Sequence, residues 1–443
     1  MVDPQPGREA RRPRVLLIAE LANPDWVSVP LEGWSLFTAL SRVADVHLVT
    51  HVRNEENIAK RGLARERYTI IDNTGVERPL RWLADTLRGT REPGGVGQTI
   101  ITAFAAFAYY RFEQLLWRRL GARVRAHEFD LVHRLTPLNP TIPSLIARRC
   151  ARAGVPFVIG PLNGGLPWPA LYTKERHREK EWLTYVRGAH RLMPAYTATR
   201  RHATAILAGS RDTLGQIPEA FRSKCVYVPE NGVEPGRFTA AVVGPPSRPL
   251  RVAFVGRMVP YKLPAVVLEA ALPLLKQGAV ALDFYGDGPE LPALRARAEA
   301  EGVLGAVTFF GWVAHTELQA RLERTDVFAF PSIREFGGAV VLEAMALGLV
   351  PIVVDYGGPG EHVSPATGVA LPLGPPEALA VGLRQALQRL LDAPEAIRPM
   401  GALARARVLK SFTWDAKAAQ VLEVYRWALG HRDRPDFGMP LAD

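Results

Sequence analysis

The chain of 443 residues contains only two cysteines, Cys150 and Cys225. Two thiols in a chain of this length exclude the disulfide framework of small secreted proteins and favour a reducing cytoplasmic compartment. Long apolar runs are also absent: nowhere do about 18 apolar residues follow one another, so no membrane-spanning helix is predicted. The hydrophobic fraction of 48% and the charged fraction of 22% are typical of globular proteins, and the length predicts about two domains.

Several motifs that carry specific chemistry are missing as well. There is no Asp-x-Asp pair and no His, Cys and carboxylate cluster with metal-ligand spacing, so neither a metal nor a resident cofactor is predicted. The turn after the first predicted strand lacks Gly-x-Gly-x-x-Gly, which argues against a nicotinamide-dependent dehydrogenase. Arg11 and Arg12 precede an apolar stretch too short for a twin-arginine signal, so residues 1–12 are predicted to be a disordered tail.

Charge is distributed unevenly along the chain. Residues 1–240 carry 35 Lys and Arg against 23 Asp and Glu, a net charge of +12, and the remainder carries 20 against 21, a net charge of −1. This asymmetry predicts that the first half faces an anionic partner such as a membrane surface, and a genomic bias toward arginine is the alternative. Nucleic acid is not among the predicted partners. An aromatic segment at 99–117, followed by several arginines, is either a core helix or a helix seated in a membrane interface.

Short β-branched runs alternate with helical stretches along the chain. Predicted strands at 15–19, 46–50, 131–133, 156–160, 205–209 and 226–228 are separated by helices, and the pattern restarts at 251–255. This alternation predicts an α/β fold with two Rossmann-like, doubly wound parallel-sheet domains facing each other across an interdomain cleft. The predicted segments are an N-terminal acceptor domain at 13–239, a linker at 240–249, a donor domain at 250–410 and a final helix and tail at 411–443.

Residues 330–343 combine the end of a buried strand, a glycine pair and the start of a helix. Free N–H groups at such a helix start favour a phosphate. Glu335 and Glu343 would repel the charge of a phosphate, and their presence is explained if they hydrogen-bond the hydroxyls of a sugar and a ribose. The pattern therefore predicts a sugar-nucleotide ligand.

A second loop follows the first strand of the second half. Gly256 lets the chain turn at the strand end, and Arg257 and Lys262 come after it. Both cations can reach one cleft and neutralise a diphosphate, the arginine in bidentate fashion and the lysine as a point charge. We therefore expect the two loops to form one binding site.

These residues, in this order, are similar to the motifs of the retaining GT-B glycosyltransferases of glycosyltransferase family 4. The likeness covers most of residues 225–430. Its motifs lie at 229–238, 256–262, 286–289, 309–311, 335–343 and 357–361. The resemblance implies a GT-B fold whose second domain binds a nucleoside-diphosphate sugar.

The resemblance also implies roles for individual residues. The positions implied to bind the donor are Arg257, Lys262, Trp312, Val313, Glu335, Phe336, Gly337, Gly338 and Glu343. The two cations would neutralise the diphosphate as it leaves, the first glutamate would hold sugar hydroxyls, and the second would hold the ribose. Backbone N–H groups at 336–338 would support the sugar and phosphate, and backbone groups near 312–313 would border the base.

The first half matches the family less well. Only one glycine, Gly33, stands where the family often has a pair, and no histidine occurs in the loop after the strand at 156–160. Two substitutes remain open. His133 is either a catalytic residue or a hydrogen-bonded histidine at a strand end, and Asn163 either approaches the acceptor or is a turn residue.

The expected function is retaining, metal-independent transfer of a hexosyl group from a nucleotide sugar to a hydroxyl of a glycan or lipid-linked acceptor. Polysaccharide or glycolipid assembly is the expected setting, in the cytoplasm and peripherally on the inner face of the membrane. A sugar-nucleotide epimerase and a non-catalytic sugar-nucleotide-binding protein are the alternatives. An epimerase would turn over the donor without an acceptor, and a binding protein would transfer nothing.

Overall fold

The computed structural model describes residues 11–79, 97–173, 193–238, 242 and 244–441, with the backbone alone for 97–105 and 315–316. The chain divides into two compact units. Unit 1 comprises residues 1–165, 179–230 and 414–438, and unit 2 comprises residues 166–178, 231–413 and 439–443. The predicted tail lies almost wholly outside the described residues, as does part of the predicted linker.

Unit 1 contains a parallel sheet whose seven described strands have the order β3-β2-β1-β4-β5-β6-β7. The strands are β1 (Arg14–Ala19), β2 (Asp45–His51), β3 (Tyr68–Ile71), β4 (Leu131–Thr136), β5 (Phe157–Leu162), β6 (Ala205–Ala208) and β7 (Cys225–Tyr227). The helices described in this part are α1 (Val29–Val43), α2 (Glu55–Lys60), α3 (Gly97–Arg125), α4 (Ile146–Arg152), α5 (Tyr196–His202) and α6 (Arg211–Gln216).

The strands of unit 1 are mostly apolar because both faces of the sheet are covered. Along β1, Leu17 faces one apolar cluster with α1. Its neighbours Leu16 and Ile18 face the other cluster, which contains residues of α3 and α4. A late helix, α14 (Trp414–Ala428), returns to unit 1 and packs on α1.

Unit 2 contains a second parallel sheet, with the described strands in the order β10-β9-β8-β11-β12-β13. The strands are β8 (Leu250–Val255), β9 (Val280–Tyr285), β10 (Val307–Gly311), β11 (Val327–Phe330), β12 (Val350–Val354) and β13 (Val369–Leu371). The helices described here are α7 (Pro264–Lys276), α8 (Leu291–Ala300), α9 (His315–Leu322), α10 (Ala339–Ala346), α11 (Gly358–His362), α12 (Pro376–Asp392) and α13 (Ile397–Ser411).

The predicted α/β class with two doubly wound parallel sheets is confirmed. The aromatic segment at 99–117 lies within α3, and Tyr109 and Phe112 are buried in the core of unit 1 while Phe107 is 55% exposed. Strand β4 continues to Thr136, three residues beyond the predicted end, so His133 lies in mid-strand. None of the described helices is long and apolar enough to cross a bilayer.

Candidate functional site

Lys262 and Glu335 form an ion pair beside the carboxyl ends of two neighbouring strands of unit 2. Lys262 follows β8 and Glu335 follows β11, and these strands pair in parallel. The Lys262 Nζ lies 3.0 Å from a Glu335 carboxylate oxygen, and both side chains are largely buried. The ammonium also lies 5.0 Å from the centre of the Phe330 ring. The fold thus brings together two of the residues that the sequence places in one site.

Gly256 makes room for this lysine. Its φ is +150°, and a Cβ on this residue would lie 3.3 Å from Lys262 Cδ and 3.4 Å from Nζ. The lysine ends the 3₁₀ turn Pro260–Lys262, and Leu263 then adopts a left-handed conformation with φ of 52° before α7 begins. A leucine carries a steric penalty there that a glycine would not.

Arg257 lies directly after Gly256 and is exposed. Its Nη2 donates to the hydroxyl of Tyr261 at 3.0 Å. The guanidinium is therefore oriented by a neighbour in its own loop, and its planar fork of N–H donors matches the geometry of a multi-oxygen anion.

The loop after β11 leads into a helix start of the kind that attracts anions. Gly338 is the N-cap of α10 in a left-handed conformation, with φ of +63°. The first N–H groups of a helix have no partner within it, so they are directed toward a ligand or solvent. Glu343 lies in the same helix and is half-buried. Phe336, by contrast, is 37% exposed.

A third loop, between β12 and α11, supports this glycine turn. Gly358 N–H donates to the Phe336 carbonyl at 2.9 Å, and His362 Nε2 donates to the Gly337 carbonyl at 2.5 Å. A Cβ on Gly357 would lie 2.4 Å from the Glu335 carbonyl oxygen. The peptide groups around Glu335 are thus fixed by buried partners. The sequence predicts the glycine loop but gives no signal for His362, which contributes from inside a short buried helix.

The loop after β9 packs tightly on the loop that carries Arg257. A Cβ on Gly286 would lie 2.0 Å from the Gly256 carbonyl oxygen, and one on Gly288 would lie 2.5 Å from the Met258 carbonyl oxygen. Two glycines here are therefore required by close backbone approach. Gly286 N–H also donates to the Gly311 carbonyl at 2.7 Å, which links the next loop, with Trp312 and Val313, to the same edge. Trp312 is 77% exposed.

His133 in unit 1 is fully buried. One ring nitrogen lies 2.7 Å from the Tyr425 hydroxyl, and the other lies 2.6 Å from the Gly160 carbonyl oxygen. Burial lowers the pKa of His133 to about 4, so the ring is neutral. These contacts favour the hydrogen-bonded alternative for His133 over a catalytic one.

Asn163 belongs to a buried polar network at the carboxyl edge of the first sheet. Its Nδ2 donates to Glu230 at 2.6 Å, and its Oδ1 accepts from Ser210 at 3.1 Å and from Thr213 at 3.2 Å. Burial, followed by the Glu230 carboxylate, raises the pKa of Glu32 to about 8. The amide is committed to protein partners, which favours a structural role for Asn163.

Among the described residues, no group of three His, Cys, Asp or Glu side chains is arranged to hold a metal ion. The cations of the unit 2 site are Arg257 and Lys262. The unit 2 site therefore offers an arginine, a lysine and a helix start, which suit anionic oxygens, together with carboxylates, which suit hydroxyl groups.

The part of the chain that contains this site is similar to a known protein family. Residues 238–398 match the family model of glycosyl transferases group 1. This part of the chain is similar to the group 1 glycosyltransferases. Both loops of the site, from Gly256 to Lys262 and from Glu335 to Glu343, lie within the matched range.

One curated relative of this chain is the glycogen synthase of Mycobacterium tuberculosis (strain CDC 1551 / Oshkosh). It is 31% identical over 248 residues, which cover 55% of this chain and 59% of that protein. The match therefore spans little more than half the length of the relative.

Two solved glycosyltransferase-like structures share the fold. A glycosyltransferase from Rickettsia africae ESF-5 has a TM-score of 0.60 at 15% identity, covering 95% of this chain and 100% of that chain. Anabaena HepE, solved in complex with UDP, has a TM-score of 0.56 at 16% identity, covering 93% and 98%. At these identities the likeness shows the fold, and the predicted GT-B class is confirmed.

Proposed function

We propose that this protein is a retaining glycosyltransferase that moves a hexosyl group from a nucleoside-diphosphate sugar to a hydroxyl acceptor without a metal ion. The observation that supports this most directly is the Lys262–Glu335 pair at the carboxyl edge of the unit 2 sheet, beside a glycine-capped helix start. A cation and a carboxylate held side by side suit a ligand in which a phosphate adjoins a hydroxylated ring.

Each residue then has a distinct task. Lys262 has three N–H donors, so it can keep its bond to Glu335 and still bind a phosphate oxygen. Arg257 binds the diphosphate in bidentate fashion, and the helix start at Gly338 adds backbone donors. Glu335 accepts hydrogen bonds from the sugar hydroxyls, and Glu343 accepts them from the ribose.

Transfer with retention follows from front-face attack. The bond from the anomeric carbon to the phosphate oxygen breaks, and the acceptor oxygen attacks from the same side. The departing phosphate oxygen takes the acceptor's proton, so no enzyme base is required. Arg257, Lys262 and the helix start stabilise the charge that develops on the leaving group. No catalytic role is assigned to His133, whose ring nitrogens both contact protein atoms.

This function is tested directly by measuring which nucleotide sugars bind and whether the sugar is transferred. Calorimetric titration with UDP, GDP and ADP sugars should identify one nucleotide class that binds, and UDP sugars come first because HepE was solved with UDP. Incubation of the bound donor with hydroxyl acceptors in EDTA should then yield a product with the anomeric configuration of the donor, read by NMR. An inverted product, or no affinity for any nucleotide sugar, would overturn the proposal.

The proposed acceptor is a glycan or lipid-linked hydroxyl at an anionic membrane surface, in polysaccharide or glycolipid assembly on the cytoplasmic side. Support comes from the Trp117 patch, which we define as Trp117, Arg118, Arg125 and Arg149. Two guanidinium groups lie 5.8 and 5.5 Å from the indole ring centre. A Cβ on Gly121 would lie 2.9 Å from the indole, so the ring lies along α3. An aromatic ring flanked by arginines suits a lipid headgroup layer.

A non-catalytic sugar-nucleotide-binding protein is the second candidate. The burial of His133 and the commitment of Asn163 to protein partners favour it, because neither predicted group of unit 1 is exposed for chemistry. Such a protein would bind the donor and neither hydrolyse nor transfer it. An epimerase would change the sugar of the donor in the absence of any acceptor.

A further inference from the structure

The segment 166–173 lies before the matched glycosyltransferase range but belongs to unit 2. It is fixed at both ends. The Tyr356 hydroxyl donates to the Pro167 carbonyl at 2.7 Å, and the Tyr172 hydroxyl donates to the Gly374 carbonyl at 2.7 Å. A Cβ on Gly357 would lie 2.9 Å from Leu166 Cδ2. The segment therefore packs on the loop that supports the Glu335 turn.

Trp168, the central residue of this segment, bridges the two ligand-facing loops of unit 2. Its ring meets the Tyr261 ring edge-on, with centres 6.3 Å apart and planes at 88°. On another side, the Arg334 guanidinium lies 5.1 Å from the indole ring centre. Tyr261 directly precedes Lys262, and Arg334 directly precedes Glu335. The indole is only 8% exposed, so these contacts are part of a packed arrangement.

Tyr261 contacts its own loop, the loop after β11 and the 166–173 segment. Its hydroxyl accepts from Arg257 Nη2 at 3.0 Å, and its backbone carbonyl accepts from the Ile333 N–H at 2.9 Å. Its ring packs on Trp168. Tyr261 therefore orients Arg257. It also joins the clamp loop, which we define as residues 256–262, to the Glu335 loop, which we define as residues 331–338.

We propose that Tyr261 and Trp168 are positioning residues of the donor site, which orient Arg257 toward the diphosphate and hold the clamp loop against the Glu335 loop. This inference rests on the proposed function. An exposed arginine loses rotamer freedom when it binds a phosphate, and a pre-set orientation reduces that cost. Tyr261 supplies the orientation through its hydroxyl, and Trp168 fixes the plane of the tyrosine ring.

The test compares nucleoside diphosphates with monophosphates. Tyr261→Phe removes the hydroxyl and leaves both the ring and the backbone bond to Ile333. Tyr261 does not contact the ligand in this proposal and only orients the exposed Arg257, so its loss should have the effect of one typical hydrogen bond. Binding of the preferred diphosphate, among UDP, GDP and ADP, should weaken by roughly threefold to tenfold. Binding of the matching monophosphate should change by less than about twofold, within the spread of a surface substitution. The readout is the ratio of the two dissociation constants by calorimetry.

Trp168 is tested by rescue. Trp168→Ala should raise the KM for the donor and lower the diphosphate-to-monophosphate preference in the same direction as Tyr261→Phe. Trp168→Phe keeps an aromatic ring and should restore most of that preference. Tyr172→Phe is the matched control, because it removes an anchor of the same segment without touching Tyr261. It should lower the melting temperature and leave the preference unchanged.

The outcomes separate this inference from the proposed function. If the parent protein binds no nucleotide, both are overturned. If the parent binds the diphosphate and Tyr261→Phe leaves the preference unchanged, or weakens both nucleotides equally, the positioning role is overturned while the proposed function stands. A Tyr172→Phe effect equal to that of Trp168→Ala would also overturn it, because the segment would then act through stability alone.

Discussion

In the proposed function, donor binding depends most on Lys262. Its ammonium is held by Glu335 and by the face of Phe330, so it is fixed before a ligand arrives. Lys262→Met keeps the aliphatic stem and removes the charge. A hydrogen bond to a charged group contributes about 1.5–3 kcal/mol, so we expect roughly tenfold to hundredfold weaker binding of the nucleotide sugar. Calorimetry measures this, and Lys276→Met, an exposed lysine on α7, is the control that should bind normally.

His133 should make stability depend on pH. Burial lowers its folded pKa to about 4, below the ordinary value of 6.5. The unfolded chain therefore binds the proton more readily, and folding stability falls as pH drops from about 6.5 to about 4. The contribution that is lost is about 3 kcal/mol. In His133→Gln the free energy of unfolding, from urea titrations at several pH values, should depend less on pH in this window. An unchanged slope would contradict the assignment of a neutral buried ring.

From the sequence alone, a candidate role can be inferred where the residue type itself carries the chemistry. Arg257, Lys262, Glu335 and the glycine pair stand out because charges and glycines at strand ends have few structural explanations. His362 and Trp168 were missed for a physical reason. Their roles depend on which distant loop they contact, and a buried histidine or a tryptophan between prolines is an ordinary feature of a core.

At the scale of elements, glycine positions decide whether the site can form. Gly338 has φ of +63°, and a Cβ on it would lie 2.9 Å from Pro359 Cγ. Gly278, at the end of α7, has φ of +66° and nothing within 4 Å of its Cβ position. Gly338→Ala should therefore destabilise the fold by more than the about 1 kcal/mol expected of Gly278→Ala, which adds only backbone strain.

The two alanine variants also separate stability from binding. Gly338→Ala should weaken donor binding, since it moves the helix start that faces the phosphate. Gly278→Ala should bind the donor as the parent does. Thermal melts give the stability difference and calorimetry the affinity. Equal effects of the two substitutions on donor affinity would argue against an anion-binding site at Gly338.

Most strands were predicted from their apolar, β-branched runs, and these include the short strands β6 and β7. The strands β3 and β13 were not predicted. Strand β4 was predicted to end at His133 because Arg134 interrupts the apolar run. Arg134 is nevertheless fully buried, with its guanidinium donating to the Ile142 carbonyl at 2.7 Å. Tertiary partners thus override the local pattern.

At the scale of the whole molecule, each of the two units is made of several stretches that are separate in the sequence. Sequence alternation predicts two sheets, but it cannot show that residues 166–178 belong to unit 2 or that residues 414–438 belong to unit 1. Those assignments depend on packing between segments far apart in sequence. A candidate donor site in unit 2 could be proposed from the sequence because its residues lie in contiguous loops, whereas no motif marks a surface for the acceptor.

The excess positive charge of the first half should produce membrane binding through the Trp117 patch. Liposomes with anionic lipid should recover the parent protein, and neutral liposomes should not, because arginines are attracted to anionic headgroups. The assay is done at low salt because salt screens this attraction. Glutamate at Arg118, Arg125 and Arg149 should abolish recovery. The control is glutamate at three exposed arginines of unit 2, Arg295, Arg321 and Arg324, which gives the same change in net charge. Equal loss in both variants would indicate a bulk charge effect and not a patch.

In the proposed function, Glu335 and Glu343 contact different parts of one nucleotide sugar, the first the transferred sugar and the second the ribose. The most direct measurement is calorimetric affinity of Glu335→Gln and Glu343→Gln for the intact nucleotide sugar and for the free nucleoside diphosphate. We predict that Glu335→Gln weakens the intact donor only, by roughly tenfold, and that Glu343→Gln weakens both ligands alike. If both variants bind both ligands as tightly as the parent protein, the account is contradicted.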